Sequence, residues 1–264
     1  MLQDNPLVTI VTPSFNQGRF VEETIQSVLN QTYTPIEYIF VDGGSTDNTM
    51  QIVEKYKTKI DIIIHEKDKG QADAINKGFK LAKGELVGWL NSDDIFYPDC
   101  VEKIVGLFNV KKNAAIYYHS INDVIDYSGK LIKTYQLKIP DRRYLIYRNY
   151  DVIQQGSFYN LNFVKEVGYL NVENHYCMDL DLWLKLLTQG GIVYTEDKSH
   201  SAFRIYTGTK TDTGTVKFLD NIYSVLREHG AKIYYPTIWN RVYIFKLRLK
   251  IIKFLRRLFA FSNR

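Results

Sequence analysis

Cysteine, long apolar runs and paired histidines are what this sequence has least of. It holds two cysteines in 264 residues, Cys100 and Cys177. Two are too few for a disulfide framework or a cysteine metal site, and they suit a reducing compartment. The five histidines, His65, His119, His175, His200 and His229, never fall at a ligand-pair spacing, so no zinc site is expected. No stretch of about 18 uncharged apolar residues occurs, which argues against a spanning helix. The opening Met-Leu-Gln-Asp-Asn-Pro lacks the basic region and apolar core of a secretory signal, so cytoplasmic placement is the expectation. Internal repeats and low-complexity linkers are also missing. From Arg241 to Arg264 there is no acidic residue, only eight basic ones. The net charge of +5 therefore belongs to that tail, and the remainder carries 5 − 8 = −3. Such a distribution argues against a broad nucleic-acid-binding face.

What is present is an ordinary globular balance, 45% apolar and 24% charged residues, with tyrosine unusually common at 20. The length allows one large α/β domain or two small ones. Leu7 to Thr12 is a β-rich run stopped by Pro13-Ser14-Phe15-Asn16. Phe20, Ile25, Val28 and Leu29 then share a helical face. Ile36 to Val41 predicts a second strand, and Ile52, Val53 and Tyr56 a second helix. Asp61 to His65 reads as a strand, Ala72 to Ala82 as a helix, and Leu86 to Asn91 as a buried strand. Alternation of this kind implies a mostly parallel sheet covered by helices on both faces. Right-handed crossovers bring the C-terminal strand ends to one edge. Thr12, Asp42, the loop around Gly70 and the Asp93-Asp94 pair are thus expected to share a crevice, where open α/β sheets bind ligands.

Beyond Pro98 the order changes. Val101 to Phe108 predicts a helix, Ala115 to Tyr118 a strand, and Tyr127-Ser128-Gly129-Lys130 a hairpin turn. Residues 131–160 resist assignment. Asp179 to Gln189 predicts a helix and Ile192 to Thr195 a strand. Residues 199–216, polar and threonine-rich, read as a loop suited to a mobile lid.

The chemistry centres on Asp93 and Asp94. Two hard oxygen ligands at a strand end suit a divalent cation, and the cation a diphosphate. The competing reading is that Asp94 caps the helix beginning near Pro98. An Asp pair in a turn is by itself more often a cap than a ligand.

Three motifs in order decide between them: Val8-Thr9-Ile10-Val11-Thr12-Pro13-Ser14-Phe15-Asn16, Val41-Asp42-Gly43-Gly44-Ser45-Thr46-Asp47 and Asn91-Ser92-Asp93-Asp94. Together with Met178-Asp179-Leu180-Asp181-Leu182-Trp183 they resemble the inverting family 2 glycosyltransferases, over about residues 7 to 212. Asp68 to Gly78 resembles a bacterial subgroup that builds surface polysaccharides. The resemblance implies a GT-A fold: a nucleotide-sugar-binding half (1–98), an acceptor-binding half of the same domain (99–216), and here a C-terminal helical segment (217–264). It implies a divalent metal, Mn2+ or Mg2+, held by Asp94 first and Asp93 second. Thr12 and Pro13, with Phe15 beside them, would line the base pocket, and Asp42 would meet the base or ribose in preference to capping its turn. Gln71, Asp73 and Asn76 would face the crevice from one helix, and Asn91 would touch ribose or sugar. Arg204 and Lys210 would meet phosphate, or else be solvated. Asp179 would be the base that takes the acceptor's proton, a role compatible with capping the helix. Met178 stands where many relatives have Glu, and Tyr206 where they often have His, a better metal ligand.

In the tail, Lys246, Lys250, Lys253 and Arg257 share one helical stripe beside Val242, Phe245, Leu249, Ile252 and Phe259. A basic amphipathic helix on an anionic membrane surface fits this pattern, as does a helix docked on protein. The leading expectation is an inverting transferase moving a sugar from a UDP-linked donor to a saccharide or lipid-linked saccharide at the inner face of the plasma membrane. A catalytically degenerate nucleotide-binding scaffold and a nucleotidyltransferase are the alternatives. The latter sits poorly with the glycine-poor Pro13 to Arg19 loop.

Overall fold

Strand β1 (Val8–Ser14) is buried at every position, as a strand covered on both faces must be. It pairs in parallel with β2 (Ile36–Asp42) on one side and β4 (Leu86–Trp89) on the other. The structure, a computed structural model, describes residues 5–209 and 215–232. Lys210 and the basic stripe of the tail lie outside the described residues.

β3 (Ile62–His65) extends the sheet in parallel beyond β2. On the far side β9 (Ser157–Asn160) runs antiparallel between β4 and β6 (Ala114–His119), and β10 (Gly191–Thr195) closes the sheet parallel to β6. The order is β10-β6-β9-β4-β1-β2-β3. Three of these strands come from beyond residue 98, so the central sheet itself crosses from one expected half into the other. Helices α1 (Val21–Leu29), α2 (Thr49–Glu54) and α4 (Cys100–Val110) cover one face, where Ile25, Phe40, Ile52 and Ile104 are buried together. Helices α3 (Gln71–Leu81) and α7 (Met178–Leu186) cover the other, with Ile75, Phe79, Trp89 and Trp183 in its core. This is the predicted two-sided, mostly parallel α/β architecture.

A second sheet was not anticipated. β5 (Ile95–Phe96), β7 (Ile121–Ile125), β8 (Leu131–Gln136) and β11 (Ser201–Arg204) pair in the order β5-β11-β7-β8. The hairpin turn at residues 127–130 joins β7 to β8 as expected. The lid reading of residues 199–216 is corrected by β11, which is paired on both sides and has Ser201, Ala202 and Arg204 buried. The reason lies in long-range pairing: Ala202 sits opposite both Asp123 and Ile95. Residues 131–160, which resisted assignment, supply β8, β9 and the short α5 (Arg142–Tyr147), and α6 (Leu161–Glu166) follows. Helix α8 (Thr215–Glu228) places Leu219, Ile222, Val225 and Leu226 in the core beside α7, so the start of the expected C-terminal segment is part of the domain.

One close approach sets where α3 lies. A Cβ on Gly78 would stand 2.5 Å from Cγ1 of the fully buried Val11. Only glycine lets the helix rest this near β1. Gly78→Ala is expected to destabilise the fold by about 1–3 kcal/mol, overpacking outweighing the helix propensity gained. Urea denaturation would show it, with partial recovery in Gly78→Ala/Val11→Ala.

At the end of β6, His119 is buried with its ring 4.3 Å from that of His200 and its Nε2 3.1 Å from the Cys100 carbonyl oxygen. Burial, then His200, push the His119 imidazole down to about 3. The unfolded chain, titrating near ~6.5, binds more protons between these values. Stability should therefore fall as pH drops from about 6.5 toward 3, by at most about 1.4 kcal/mol per pH unit from this group. Denaturation curves of His119→Gln should be flatter than wild type between about pH 6.5 and 5.

Candidate active site

The C-terminal ends of β1, β2 and β4 open into a cleft of about 950 Å3, closed on the other side by the starts of α3 and α7 and the chain after β11. Pro13, Ser14 and Phe15 enter it from β1, Gly43 and Gly44 from the turn after β2, and Asn91 to Asp93 from the turn after β4. The predicted convergence of strand ends is therefore present, though Thr12 and Asp42 stand one residue behind the surface that lines it.

The two adjacent carboxylates take opposite environments. Asp94 is fully buried. Its Oδ1 accepts the Arg204 N–H at 2.9 Å, and its Oδ2 accepts from Asn91 Nδ2 and Gln155 Nε2, each at 3.0 Å. Burial, then the charge of Asp93, push the Asp94 carboxyl up to about 8. Asp93 is half-buried and lines the cleft. Burial raises its carboxyl as well, against the hydrogen bond that Tyr206 Oη donates to Oδ2 at 3.0 Å. Asp93, expected as the second ligand, faces the cleft, and Asp94, expected as the first, fastens the turn from behind. Asp94 does not cap the following helix either; that helix starts at Cys100, with Asp99 at the capping position.

Asp42, expected at the base or ribose with capping as a compatible role, caps its own turn. Its Oδ2 accepts the Gly44 and Ser45 N–H groups at 3.0 and 2.7 Å, and His65 Nδ1 lies 2.7 Å away. A carboxylate followed by Gly-Gly-Ser folds back onto its own turn. Thr12 is buried and receives the Tyr38 hydroxyl at 3.1 Å. Pro13 and Phe15 do line the cleft, and Phe15 is 59% exposed at its mouth.

On α3 the predicted face divides. Gln71 lines the cleft and donates from Nε2 to Asn91 Oδ1 at 2.7 Å. Asp73 accepts the Lys69 N–H at 3.1 Å and is not among the lining residues. Asn76 is buried, with Nδ2 donating to the Leu170 carbonyl at 2.9 Å and Oδ1 accepting the Leu170 N–H at 3.0 Å. It lies about 7.5 Å deeper along the helix than Gln71, so it clamps backbone and does not face a ligand. Lys77 pairs with Glu66 at 2.8 Å.

Asp179 occupies the first turn of α7 and lines the cleft, as does Met178 before it. Asp181 points away, pairing with His229 Nε2 at 2.7 Å and with Lys185. Arg204, expected at phosphate or in solvent, is 1% exposed. Its Nε donates to the Asp93 carbonyl at 2.8 Å, Nη1 to the carbonyls of Asp126 and Tyr127, and Nη2 to Glu23. A buried guanidinium so engaged is a strut. Its successors Tyr206, Gly208 and Thr209 line the cleft.

Several lining groups escaped the sequence reading. Ser14 Oγ and Trp89 Nε1 are buried without a hydrogen-bond partner among the described residues, and both residues border the cleft. Buried polar groups are rarely left so. Gln154, which accepts from Asn91 Nδ2 at 3.0 Å and donates to the Trp89 carbonyl at 2.8 Å, also lines it. A lone Trp in an otherwise aliphatic strand just before the Asn91 turn was the one available signal.

Among the described residues no group of three or more His, Cys, Asp or Glu side chains is poised around a cation. Asp93, which lines the cleft beside the Asn91 turn, still fits a metal that takes its remaining ligands from phosphate and water. Arg204→Ala should lower stability by about 2–5 kcal/mol, since it empties a buried site and takes the partner from the carbonyls of Asp93, Asp126 and Tyr127 and from Glu23. A phosphate-binding arginine would instead lose nucleotide affinity at unchanged melting temperature, and thermal shift separates the two.

The sequence profile described as Glycosyl transferase family 2 matches residues 9–166. A glycosyltransferase of Rickettsia typhi, itself uncharacterised, is 30% identical over 202 residues, 73% of this chain and 62% of that one. Chondroitin synthase of Escherichia coli is 36% identical over 129 residues, 48% of this chain and 19% of that one. The chain thus spans less than two thirds of either relative. Among crystal structures, S. aureus TarS 1-349 in complex with UDP-GlcNAc superposes with a TM-score of 0.69 at 18% identity, over 88% of this chain and 69% of that one. Mannosyltransferase PcManGT from Pyrobaculum calidifontis, in complex with GDP-Man and Mn2+, gives 0.62 at 14% identity, over 99% and 81%. Those identities speak for the fold, and the fold is GT-A. With the profile spanning more than half of its length, this chain belongs to glycosyl transferase family 2.

Proposed function

We propose that the protein is an inverting, metal-dependent glycosyltransferase that moves a sugar from a UDP-linked donor to a saccharide hydroxyl in bacterial surface-polysaccharide synthesis. The observation that carries this reading is one cleft lined by Asp93 and Asp179 from different elements, with Asp68 a third lining carboxylate. Asp93 comes from the turn after β4, and Asp179 from the start of α7. UDP is preferred because the TarS complex above holds UDP-GlcNAc. Ser14 and Trp89, unpaired and buried at the cleft, are groups a ligand would satisfy.

In this reading Asp93 holds the divalent cation together with the donor diphosphate, and the bound cation would offset charge on the leaving group. Pro13 and Phe15 bound the nucleoside side. Gln71 and Asn91, joined by their hydrogen bond, present amides to ribose or sugar. Asp179 takes the proton from the acceptor hydroxyl as that oxygen attacks the anomeric carbon from the side opposite the diphosphate. One carboxylate suffices for that step. Met178, beside it, contributes no charge. The basic stripe of the tail would hold the enzyme at an anionic membrane surface, near a lipid-linked acceptor. No helix among the described residues is long and apolar enough to cross a membrane.

Asp179→Asn is expected to lower kcat for sugar transfer by about 10²–10⁴-fold while leaving UDP-sugar binding in place. Asp93→Ala should abolish the metal-dependent part of that binding. The measurements are transfer or donor hydrolysis with Mn2+, and thermal shift over UDP, GDP, CDP and dTDP sugars. Binding without turnover in wild type, with every acceptor tried, would turn the reading toward a degenerate nucleotide-binding scaffold.

A further inference from the structure

We propose that Tyr206 is a positioning residue, a neutral hydrogen-bond donor that fixes the orientation of the Asp93 carboxylate for a divalent cation without itself entering the coordination sphere. The inference rests on the reading of Asp93 given above and deepens it.

The direction of the hydrogen bond follows from its neighbours. Tyr206 Oη lies 3.0 Å from Asp93 Oδ2 and 3.4 Å from Gln17 Nε2. An amide nitrogen only donates, so the phenol oxygen accepts from Gln17 and its single proton goes to Asp93. The ring is held in turn. It packs on Phe20 with centroids 5.0 Å apart and meets Tyr127 edge-on at 6.5 Å. Phe20 also carries the Arg204 guanidinium 4.9 Å above its ring.

Arg204, the last residue of β11, and Tyr206, two residues on, both reach Asp93. One binds the main-chain carbonyl of Asp93 and the other its side chain. The aspartate is therefore gripped at both ends by a segment that begins more than a hundred residues later. The phenol takes one carboxylate oxygen, Oδ2, and stops the group from rotating about its last torsion. Groups that orient a metal ligand in this way typically change metal affinity by about 10–100-fold when removed.

The test uses the full chain and titrates Mn2+ alone, then Mn2+ with saturating UDP, by calorimetry and by the manganese paramagnetic resonance signal. Tyr206→Phe, which keeps the ring and removes the proton, should weaken Mn2+ about tenfold. The apparent metal constant for turnover should rise by a similar factor, with kcat at saturating metal falling less. Wild-type Mn2+ affinity in Tyr206→Phe would overturn the proposal. So would a loss as deep as that of Asp93→Asn, because Tyr206 would then be a ligand. The underlying reading has its own control. If Asp93→Asn binds Mn2+ like wild type, the cation site itself is misplaced; if only Tyr206→Phe is silent, the positioning role alone fails. Should Tyr206→Phe not fold, Gln17→Met removes the bond that orients the phenol. It must then weaken Mn2+ in the same direction, and an unchanged affinity overturns the proposal.

Discussion

The cleft depends on a carboxylate buried behind its lining. Asp94 sits at full burial and draws three separate parts of the chain toward itself: the Asn91 turn, Gln155 just before β9, and the backbone of Arg204 at the end of β11. Each supplies an N–H to a carboxyl oxygen, so the buried group is held by dipoles and not by a cation. Thr24 of α1 joins from a fourth direction, donating to the Asp94 carbonyl at 2.8 Å. With Asp94 anchored inward, the preceding residue must turn outward. Asp93 owes its place at the cleft to its neighbour's burial.

The same constraint explains why the two sheets meet here. β11 pairs with β5 on one side and β7 on the other, and its last residue reaches across to α1 through Glu23. The wall bearing Phe203 and Tyr206 is thereby tied to the wall bearing Asp93 through the backbone itself. The two walls are thus parts of one hydrogen-bonded framework, though they come from distant stretches of the sequence.

Much of this was legible before any coordinates. Apolar runs of strand length separated by amphipathic helices specify a covered parallel sheet, and such a sheet has one edge where strand ends gather. Pro13, Phe15, Gln71, Asn91, Asp93 and Asp179 all border the cleft. What sequence patterns could not supply is which way a polar side chain turns. Asp42, Asn76 and Arg204 are residue types that bind ligands elsewhere; here a Gly-Gly-Ser turn, the backbone of Leu170 and three loop carbonyls claim them first. Those partners lie from 2 to 111 residues away, and the distant ones are invisible to any local pattern. The strand at Ser201–Arg204 was hidden for the same reason, its pairing being its only strand-like property.

The contact of Gly78 with Val11 has a bearing on how such a site can change over evolution or by design. A helix pressed against its strand with no room for a methyl group cannot roll, slide or accept bulk without moving the sheet. Gln71 at its start is consequently a fixed point, and so is whatever it touches. Variation in what the cleft accepts has more room on the opposite rim, at Phe203, Gly208 and Thr209, with Tyr206 kept for its hold on Asp93. Libraries that randomise α3 would spend their diversity on misfolded chains, whereas those confined to the far rim would explore substrate preference on a scaffold that holds still.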